Sequence, residues 1–210
     1  MNDLKIKVCG MREPDNISGV LAAHPDYMGF IFYPKSKRFV GFEPLMDVLA
    51  VVPDSIKKVG VFVDETPERV LLVCTSWNFT AVQLHGNEST EFCKQMQQAG
   101  LIVLKAFPVD ELFDFDALEA YRESCNFFLF DTKSQLPGGS GMKFNWQLLN
   151  NYQLDVPFFL SGGIGPDDLT VIRQLNHPQL FGIDINSGFE ISPALKDIEK
   201  VGKFISKIRE

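Results

Sequence analysis

Eight short apolar runs recur along this chain at nearly even spacing, and they constrain its fold more than any other feature. Each run is rich in β-branched and aromatic residues and is bounded by polar residues, glycine or proline, as β-strands are. Several, such as the runs containing VGVFV and FFLF, lack the polar alternation of a half-exposed strand, which is typical of parallel sheets covered on both faces. The predicted strands are 5–9, 27–32, 57–63, 81–84, 102–107, 127–131, 158–161 and 180–185.

Helix start signals lie between these predicted strands. Prolines beside capping or acidic residues indicate four helix starts, at Pro14, Pro44, Pro67 and Pro166. Another helix is expected to begin at a cap near Ser89 and to stop near Gly100. Eight βα units account for the whole chain without a linker, so the simplest architecture is an α/β fold with a single (β/α)8 TIM barrel domain over residues 1–210. A doubly wound open sheet with fewer strands is the structural alternative.

Charge and hydropathy exclude several classes of partner. The chain has 20 Lys and Arg against 27 Asp and Glu, and its one basic cluster is Lys35, Lys37 and Arg38, so we expect no nucleic-acid partner. No apolar run approaches the roughly 20 residues that a membrane-spanning helix needs. The first residues also lack the apolar core of a secretory signal, and we therefore expect a cytoplasmic protein with no membrane partner.

The four cysteines do not indicate a metal site. They show no C-x-x-C spacing, and the chain has only three histidines that could join them as ligands, so we expect no metal. Cys74, Cys93 and Cys125 fall in helical or helix-to-strand segments, where the expected state is a buried free thiol.

Glycine-bearing turns follow the last two predicted strands. In a barrel of this kind the active site lies at the carboxyl ends of the strands, and phosphate is usually held after the last two. The N–H groups around Gly162, Gly163 and Gly188 could therefore form a nest for a phosphate. The alternative is that these glycines only form turns. The segment 138–141, which includes Gly139, is either a lid over the substrate or a surface turn.

Polar side chains at other strand ends are candidates for chemistry. Asp131 follows an apolar run that favours a neutral carboxyl suited to general-acid catalysis, or else it is a carboxylate bonded to backbone N–H groups. Cys9 could ionise beside N–H groups and a cation and act as a base, or be a buried structural thiol. Arg38 could clamp a carboxylate or lie in solvent. His85 could orient a substrate or be a satisfied loop histidine.

Eight ordered motifs carry a family resemblance that spans nearly the whole chain. They are KVCGMR, PKSKRFV, VGVFVDE, VQLHG, FDT, PGGSG, LSGGI and DINSGFE. One motif alone, such as LSGGI, is shared with other phosphate-binding barrels, but the ordered set resembles the phosphoribosylanthranilate isomerase family of tryptophan biosynthesis. The resemblance implies an Amadori rearrangement of N-(5-phosphoribosyl)anthranilate to 1-(2-carboxyphenylamino)-1-deoxyribulose 5-phosphate, without a metal or an organic cofactor.

The resemblance also implies residue roles. Cys9 falls on the family's general base, Asp131 on its general acid and Arg38 on the arginine that meets the anthranilate carboxylate. The remaining expected substrate-binding residues are His85, Gly139, Gly162, Gly163, Asp184, Asn186 and Ser187. Four of them, Gly162, Gly163, Asn186 and Ser187, fall on the family's phosphate-binding turns.

Two positions depart from the family pattern, and two other functions remain as alternatives. Asn186 stands where serine is commoner, and Asp64 stands where asparagine is frequent.

The nearest alternative function is that of the aminoaldose isomerase of the histidine pathway, a two-fold repeated barrel whose base is an aspartate. The other is a non-catalytic barrel that binds a phosphorylated ligand. We expect a small phosphorylated substrate and a monomer or homodimer.

Overall fold

Eight parallel strands pair in chain order and close into a barrel when the last pairs with the first. The computed structural model describes residues 4–43, 46–133 and 143–210. Every strand begins where the sequence predicted, which confirms the fold class and shows that the open doubly wound sheet is wrong. The strands are β1 (Lys5–Val8), β2 (Tyr27–Ile31), β3 (Lys57–Phe62), β4 (Ala81–Leu84), β5 (Ile102–Val109), β6 (Phe127–Thr132), β7 (Phe158–Leu160) and β8 (Leu180–Ile185).

Six α-helices alternate with the strands in the described residues. They are α1 (Pro14–Leu21), α2 (Met46–Val51), α3 (Pro67–Ser76), α4 (Thr90–Gln98), α5 (Leu169–Gln174) and α6 (Ile198–Arg209). The predicted starts at Pro14 and Pro67 are confirmed, and the Ser89 side chain caps α4 by accepting from the N–H of Phe92. Pro44 lies outside the described residues. None of the helices in these ranges is long and apolar enough to cross a membrane.

In the described residues, two connections have a 3₁₀ helix in place of an α-helix. After β5 and β6 the described chain forms the 3₁₀ helices Asp116–Tyr121 and Trp146–Asn151 instead of α-helices. Asp110, Asp114 and Asn145 each accept a hydrogen bond from the backbone N–H two residues further on. Because such local bonds give the backbone an alternative to the α-helical pattern, these connections remain short and tight.

Side chains of the strands alternate between two apolar clusters, since successive strand residues point to opposite faces. The larger cluster packs between the barrel and its helices and includes Ile6, Val8 and Trp77. The smaller cluster fills the barrel interior with Tyr27, Val59, Ala81, Leu104, Ala106, Leu129 and Phe159. This interior cluster forms an apolar floor, and the residues that follow it toward the strands' carboxyl ends include the polar candidates.

Asp64 fastens the loop after β3 to the loop after β4. Its φ of 49° lies in the left-handed region, and its Oδ1 accepts from the N–H of Asn87 at 2.6 Å. Its own N–H donates to Glu88 Oε1 at 3.0 Å. An added Cβ at Gly86 would lie 2.3 Å from Asp64 Oδ1, so the two loops are in close contact. This contact fixes the loop that begins with His85.

Asparagine can supply both features of Asp64, the left-handed backbone and an acceptor oxygen. We expect Asp64→Asn to change the free energy of unfolding by less than about 0.5 kcal/mol, because asparagine also tolerates the left-handed region and keeps an acceptor oxygen. Asp64→Ala loses both and should cost about 1–2 kcal/mol. Urea unfolding followed by circular dichroism measures both changes, and equal losses in the two variants would contradict this account.

Candidate active site

Cys9 follows β1 directly and is buried at the carboxyl end of the barrel, with its N–H donating to the carbonyl of Ile185 at 2.9 Å. Its sulfur faces Lys7 and the backbone of Gly29. An added Cβ at Gly29 would lie 2.8 Å from Cys9 Sγ and 3.1 Å from Lys7 Nζ. The thiol and the ammonium group therefore share one small space, which only glycine at position 29 leaves open.

Lys7 and Asp184 form a buried ion pair across the two strands that close the barrel. They are register partners in β1 and β8, and Lys7 Nζ donates to Asp184 Oδ2 at 2.9 Å. Burial opposes the charge on Lys7, but Asp184 and Cys9 outweigh it and raise the Lys7 pKa above its ordinary value. The other oxygen, Asp184 Oδ1, is buried and has no hydrogen-bond partner among the described residues. A buried acceptor of this kind is suited to a donor from a bound molecule.

The Cys9 thiol is subject to opposing electrostatic effects. Burial raises its pKa above the ordinary value, Lys7 and Lys196 lower it, and Asp184 raises it further. The net direction is upward. The cation expected from the sequence is therefore present as Lys7, but burial outweighs it, and the thiol is mostly protonated at neutral pH.

Asp131 lies near the end of β6 and contacts His85, the residue after β4. His85 Nε2 lies 3.1 Å from Asp131 Oδ2, and the N–H of Thr132 donates to Asp131 Oδ1 at 2.8 Å. Gln83 Nε2 donates to His85 Nδ1 at 2.7 Å, which leaves the ring proton of the neutral imidazole on Nε2, directed at Asp131. With its side chain 23% exposed, Asp131 is open to the mouth of the barrel. Asp131 therefore accepts a hydrogen bond from a backbone N–H, one of the two alternatives stated for it from the sequence, and His85 contacts its other oxygen.

Arg38 lies in the loop after β2 and is held by Glu190, on the hairpin β9 (Glu190–Ser192) and β10 (Leu195–Lys196). Its Nε and Nη2 donate to the two Glu190 oxygens at 2.9 and 2.6 Å. Lys196 Nζ donates to Glu190 Oε1 and to Asn186 Oδ1, at 2.7 Å each. Burial disfavours the charge on Glu190, but its hydrogen bonds from Arg38 and Lys196 outweigh this and lower its pKa. Two cations thus share one carboxylate, which leaves positive charge available to a second anion.

The glycine turns after β7 and β8 are tightly packed. Gly162 and Gly163 have φ values of 88° and 66°, which glycine adopts without strain. An added Cβ would lie 2.3 Å from Thr132 Oγ1 at Gly162 and 2.3 Å from the Ile164 carbonyl oxygen at Gly188. The N–H groups of Gly162 and Gly163 have no backbone acceptor among the described residues. They are thus available to bind an anion.

The second turn passes through Asn186 and the 3₁₀ turn Ser187–Phe189. Asn186 Oδ1 also lies 2.8 Å from the Cβ that a side chain at Gly10 would carry. This turn is therefore packed against the loop that follows Cys9. The amide that replaces the commoner serine at 186 has its own role here, as an acceptor for Lys196.

The structure brings most of the sequence candidates to one end of the barrel. They are Cys9, Arg38, His85, Asp131, Gly162, Gly163, Asp184, Asn186 and Ser187. Gly139 and the rest of segment 137–141 lie outside the described residues.

Sequence reasoning missed four polar residues of this site: Lys7, Gln83, Glu190 and Lys196. Lys7 and Gln83 stand two positions before Cys9 and His85, so strand alternation could have placed them on the same face. Glu190 and Lys196 belong to a hairpin outside the βα repeat, and no sequence signal indicated their contact with Arg38 and Asn186.

Comparison with known proteins gives one family over almost the whole chain. The family model described as N-(5'phosphoribosyl)anthranilate (PRA) isomerase matches residues 6–207. The N-(5'-phosphoribosyl)anthranilate isomerase of Parabacteroides distasonis is 47% identical over 204 residues, which cover 97% of this chain and 92% of the relative. The crystal structure of the Thermotoga maritima phosphoribosyl anthranilate isomerase has a TM-score of 0.88 at 34% identity, with 98% of each chain covered.

A second solved structure adds a ligand. It is a phosphoribosyl anthranilate isomerase in complex with reduced 1-(o-carboxyphenylamino)-1-deoxyribulose 5-phosphate, with a TM-score of 0.83 at 31% identity and 98% of each chain covered. Family match, relatives and fold agree, and the chain therefore belongs to the N-(5'-phosphoribosyl)anthranilate isomerase family.

Proposed function

We propose that Cys9 and Asp131 are the general base and the general acid of the reaction of this family. The reaction converts N-(5-phosphoribosyl)anthranilate to 1-(2-carboxyphenylamino)-1-deoxyribulose 5-phosphate, an aldose-to-ketose isomerisation of tryptophan biosynthesis. The observation that carries the proposal is that a buried thiol and a partly exposed carboxyl share one barrel mouth. Asp184 interacts electrostatically with both of them.

Ring opening is assigned to Asp131. As the anthranilate nitrogen donates its lone pair to form an imine, the bond between the sugar carbon and the ring oxygen breaks, and the carboxyl proton of Asp131 passes to that oxygen. The carboxylate left behind accepts from His85 and from the N–H of Thr132. These donors are already in place, so the charge that develops on Asp131 meets little reorganisation.

The second proton transfer is assigned to Cys9. The imine acidifies the hydrogen on the neighbouring carbon, C2′, and the thiolate of Cys9 removes it to give an enolamine. The enolamine tautomerises to the ketone, and the proton taken up by Cys9 balances the one delivered by Asp131. All steps are proton transfers with a shift of electron pairs, which the two side chains can supply without a metal or an organic cofactor.

Contacts with both anionic groups of the substrate would hold it at Cys9 and Asp131. We assign the phosphate to the turns at Gly162, Gly163, Asn186 and Ser187, and the anthranilate carboxylate to Arg38. Arg38 and Lys196 share one carboxylate, which supports an anion at this end. Asp184 Oδ1 is available for a sugar hydroxyl. The ligand of the related complex, a carboxyphenylamino deoxyribulose phosphate, carries the two anionic ends that this arrangement requires.

Assembly and location are further parts of the proposal. The protein acts as a monomer or a homodimer, which sedimentation velocity distinguishes, and we place it in the cytoplasm. Its partner is the small phosphorylated substrate.

Removing either proton-transfer group should lower kcat. We expect Cys9→Ala and Asp131→Asn each to reduce kcat by about 10²- to 10⁴-fold, the usual contribution of a positioned acid or base. Arg38→Ala should mainly raise KM, since its contact persists through the reaction. The loss of anthranilate-type fluorescence from freshly made phosphoribosylanthranilate measures all three.

Matched substitutions serve as controls for this assay. Cys74→Ala removes another buried thiol, and Arg122→Ala removes an arginine that pairs with Asp155. Both should retain wild-type kcat and KM. Wild-type turnover in both Cys9→Ala and Asp131→Asn would overturn the catalytic assignment, and a wild-type protein that binds the substrate without turnover would favour the non-catalytic barrel.

Gly162 provides a test of the phosphate turn. Gly162→Ala should raise KM about tenfold or more. The alanine side chain would be strained at this positive φ by about 1–3 kcal/mol, and relief of that strain would move the N–H groups away from the anion. Gly165→Ala is the matched control: an added Cβ there meets only Asp168 Oδ2, at 3.7 Å. Competition by inorganic phosphate, measured as an inhibition constant, should weaken in Gly162→Ala alone. Equal inhibition of the two variants would place the phosphate elsewhere.

The rate should also depend on pH through Cys9. Because burial raises the Cys9 pKa, the thiolate is scarce at neutral pH, and kcat/KM should increase with pH across and above neutrality. The residual rate of Cys9→Ala should lack this increase. A pH profile of kcat/KM for both proteins, with Cys74→Ala as the control, checks the assignment. An ordinary thiol has a pKa of about 8.5, so a base with a raised pKa should still be gaining ionised form across this range. A wild-type profile of kcat/KM that is flat between about pH 6 and 9 would therefore contradict the assignment.

A further inference from the structure

Two buried ammonium groups lie close to Cys9. Lys7 Nζ and Cys9 Sγ both approach the backbone of Gly29 closely enough that one added carbon would contact both. Lys196 Nζ bonds to Asn186 Oδ1, that oxygen lies near Gly10, the residue after Cys9, and Lys196 interacts electrostatically with the thiol. The side chains of both lysines are 0% exposed.

Neither lysine has an evident role in stabilising the fold. Burying an ammonium group costs several kcal/mol, and replacing a buried ion pair by apolar residues is often neutral or stabilising. Each lysine also has a carboxylate that fixes its position, since Asp184 holds Lys7 and Glu190 holds Lys196. Both ammonium groups are therefore held in place, and both interact electrostatically with the Cys9 thiol.

Cations outnumber carboxylates around Cys9. Six polar groups face it or its neighbours. They are Lys7 from β1, Asp184 from β8, Asn186 from the turn after β8, Glu190 from β9, Lys196 from β10 and Arg38 from the loop after β2. Three of these are cations and two are carboxylates. The excess of cations stabilises a thiolate relative to the thiol and so opposes the effect of burial. His85 and Asp131 contact each other, and Asp131 interacts electrostatically with Asp184.

We propose that Lys7 and Lys196 are positioning residues that allow Cys9 to ionise, while Asp184 and Glu190 orient the two ammonium groups. The inference rests on the proposed function, in which Cys9 is the base. In the fraction of molecules that ionises, the thiol proton leaves to solvent before the substrate binds, and the two cations stabilise the sulfur anion that remains. Burial lowers the Lys196 pKa, and its contacts with Glu190 and Cys9 offset part of that effect.

Alkylation of Cys9 by iodoacetamide tests this inference without requiring turnover. Its rate is followed against pH by mass spectrometry of the Cys9 peptide, so the other cysteines do not interfere. Lys7→Met and Lys196→Met should each move the alkylation midpoint upward by about 1 pH unit or more, the effect of losing an opposite charge at close range. Asp184→Asn should move it downward, since it removes a negative charge. Lys196→Arg should restore the wild-type midpoint.

Opposite shifts distinguish this role from a merely structural one, because loosened packing would change all variants in one direction. Lys105→Met is the matched control: Lys105 is also buried and pairs with Glu88 at 3.2 Å, and the midpoint should remain unchanged. Circular dichroism and thermal unfolding check that each variant folds. Should Lys7→Met fail to fold, the opposite shifts of Lys196→Met and Asp184→Asn decide the question.

Unchanged midpoints in Lys196→Met and Asp184→Asn would overturn the inference, as would an equal upward shift in Lys105→Met. The acid limb of kcat/KM should follow the same order as the alkylation midpoints. If Cys9→Ala keeps wild-type turnover while the midpoints shift as expected, the base assignment fails and the electrostatic role of the lysines stands.

Discussion

The pairing of β1 with β8 is the contact on which the rest of this site depends. It joins segments at opposite ends of the chain and places Lys7 opposite Asp184, 177 positions apart in sequence. The same closure brings the loop after Cys9 against the turn at Asn186. If the strands kept this chain-order pairing without closing, β1 and β8 would be edges, and the thiol, the ion pair and the turn proposed to bind phosphate would not meet.

Polar groups concentrate at one end of an otherwise apolar barrel. Two lysines buried at or below 1% exposure, Lys7 and Lys196, each pair with a carboxylate. Ion pairs in such surroundings contribute little to stability, because desolvation offsets most of their attraction. The apolar floor below them and the helix layer around them supply the stability. The charged mouth fits the proposed function, because fixed charges in a low dielectric would act strongly on a thiol, a carboxyl and an anionic substrate.

The sequence predicted the fold in detail because each strand of a parallel barrel is an apolar run bounded locally by polar residues, glycine or proline. All eight strand starts agree with the prediction, and the 3₁₀ helices after β5 and β6 are the main difference. Those connections depend on bonds from Asp110, Asp114 and Asn145 to the backbone, a competition that apolar spacing does not reveal. For the site, the rule that strand ends carry chemistry was sufficient to gather Cys9 and Asp131 at one mouth.

The sequence by itself determined the strands, the mouth to which their ends contribute and, through ordered motifs, the family. Only the tertiary structure decided the partners: Lys7 with Asp184, Gln83 through His85 to Asp131, and Glu190 between Arg38 and Lys196. Local sequence specifies backbone conformation and burial, because these depend on neighbours in the chain. Pairing of charges depends on which strands and hairpins meet in space, and here it arises from closure of the barrel.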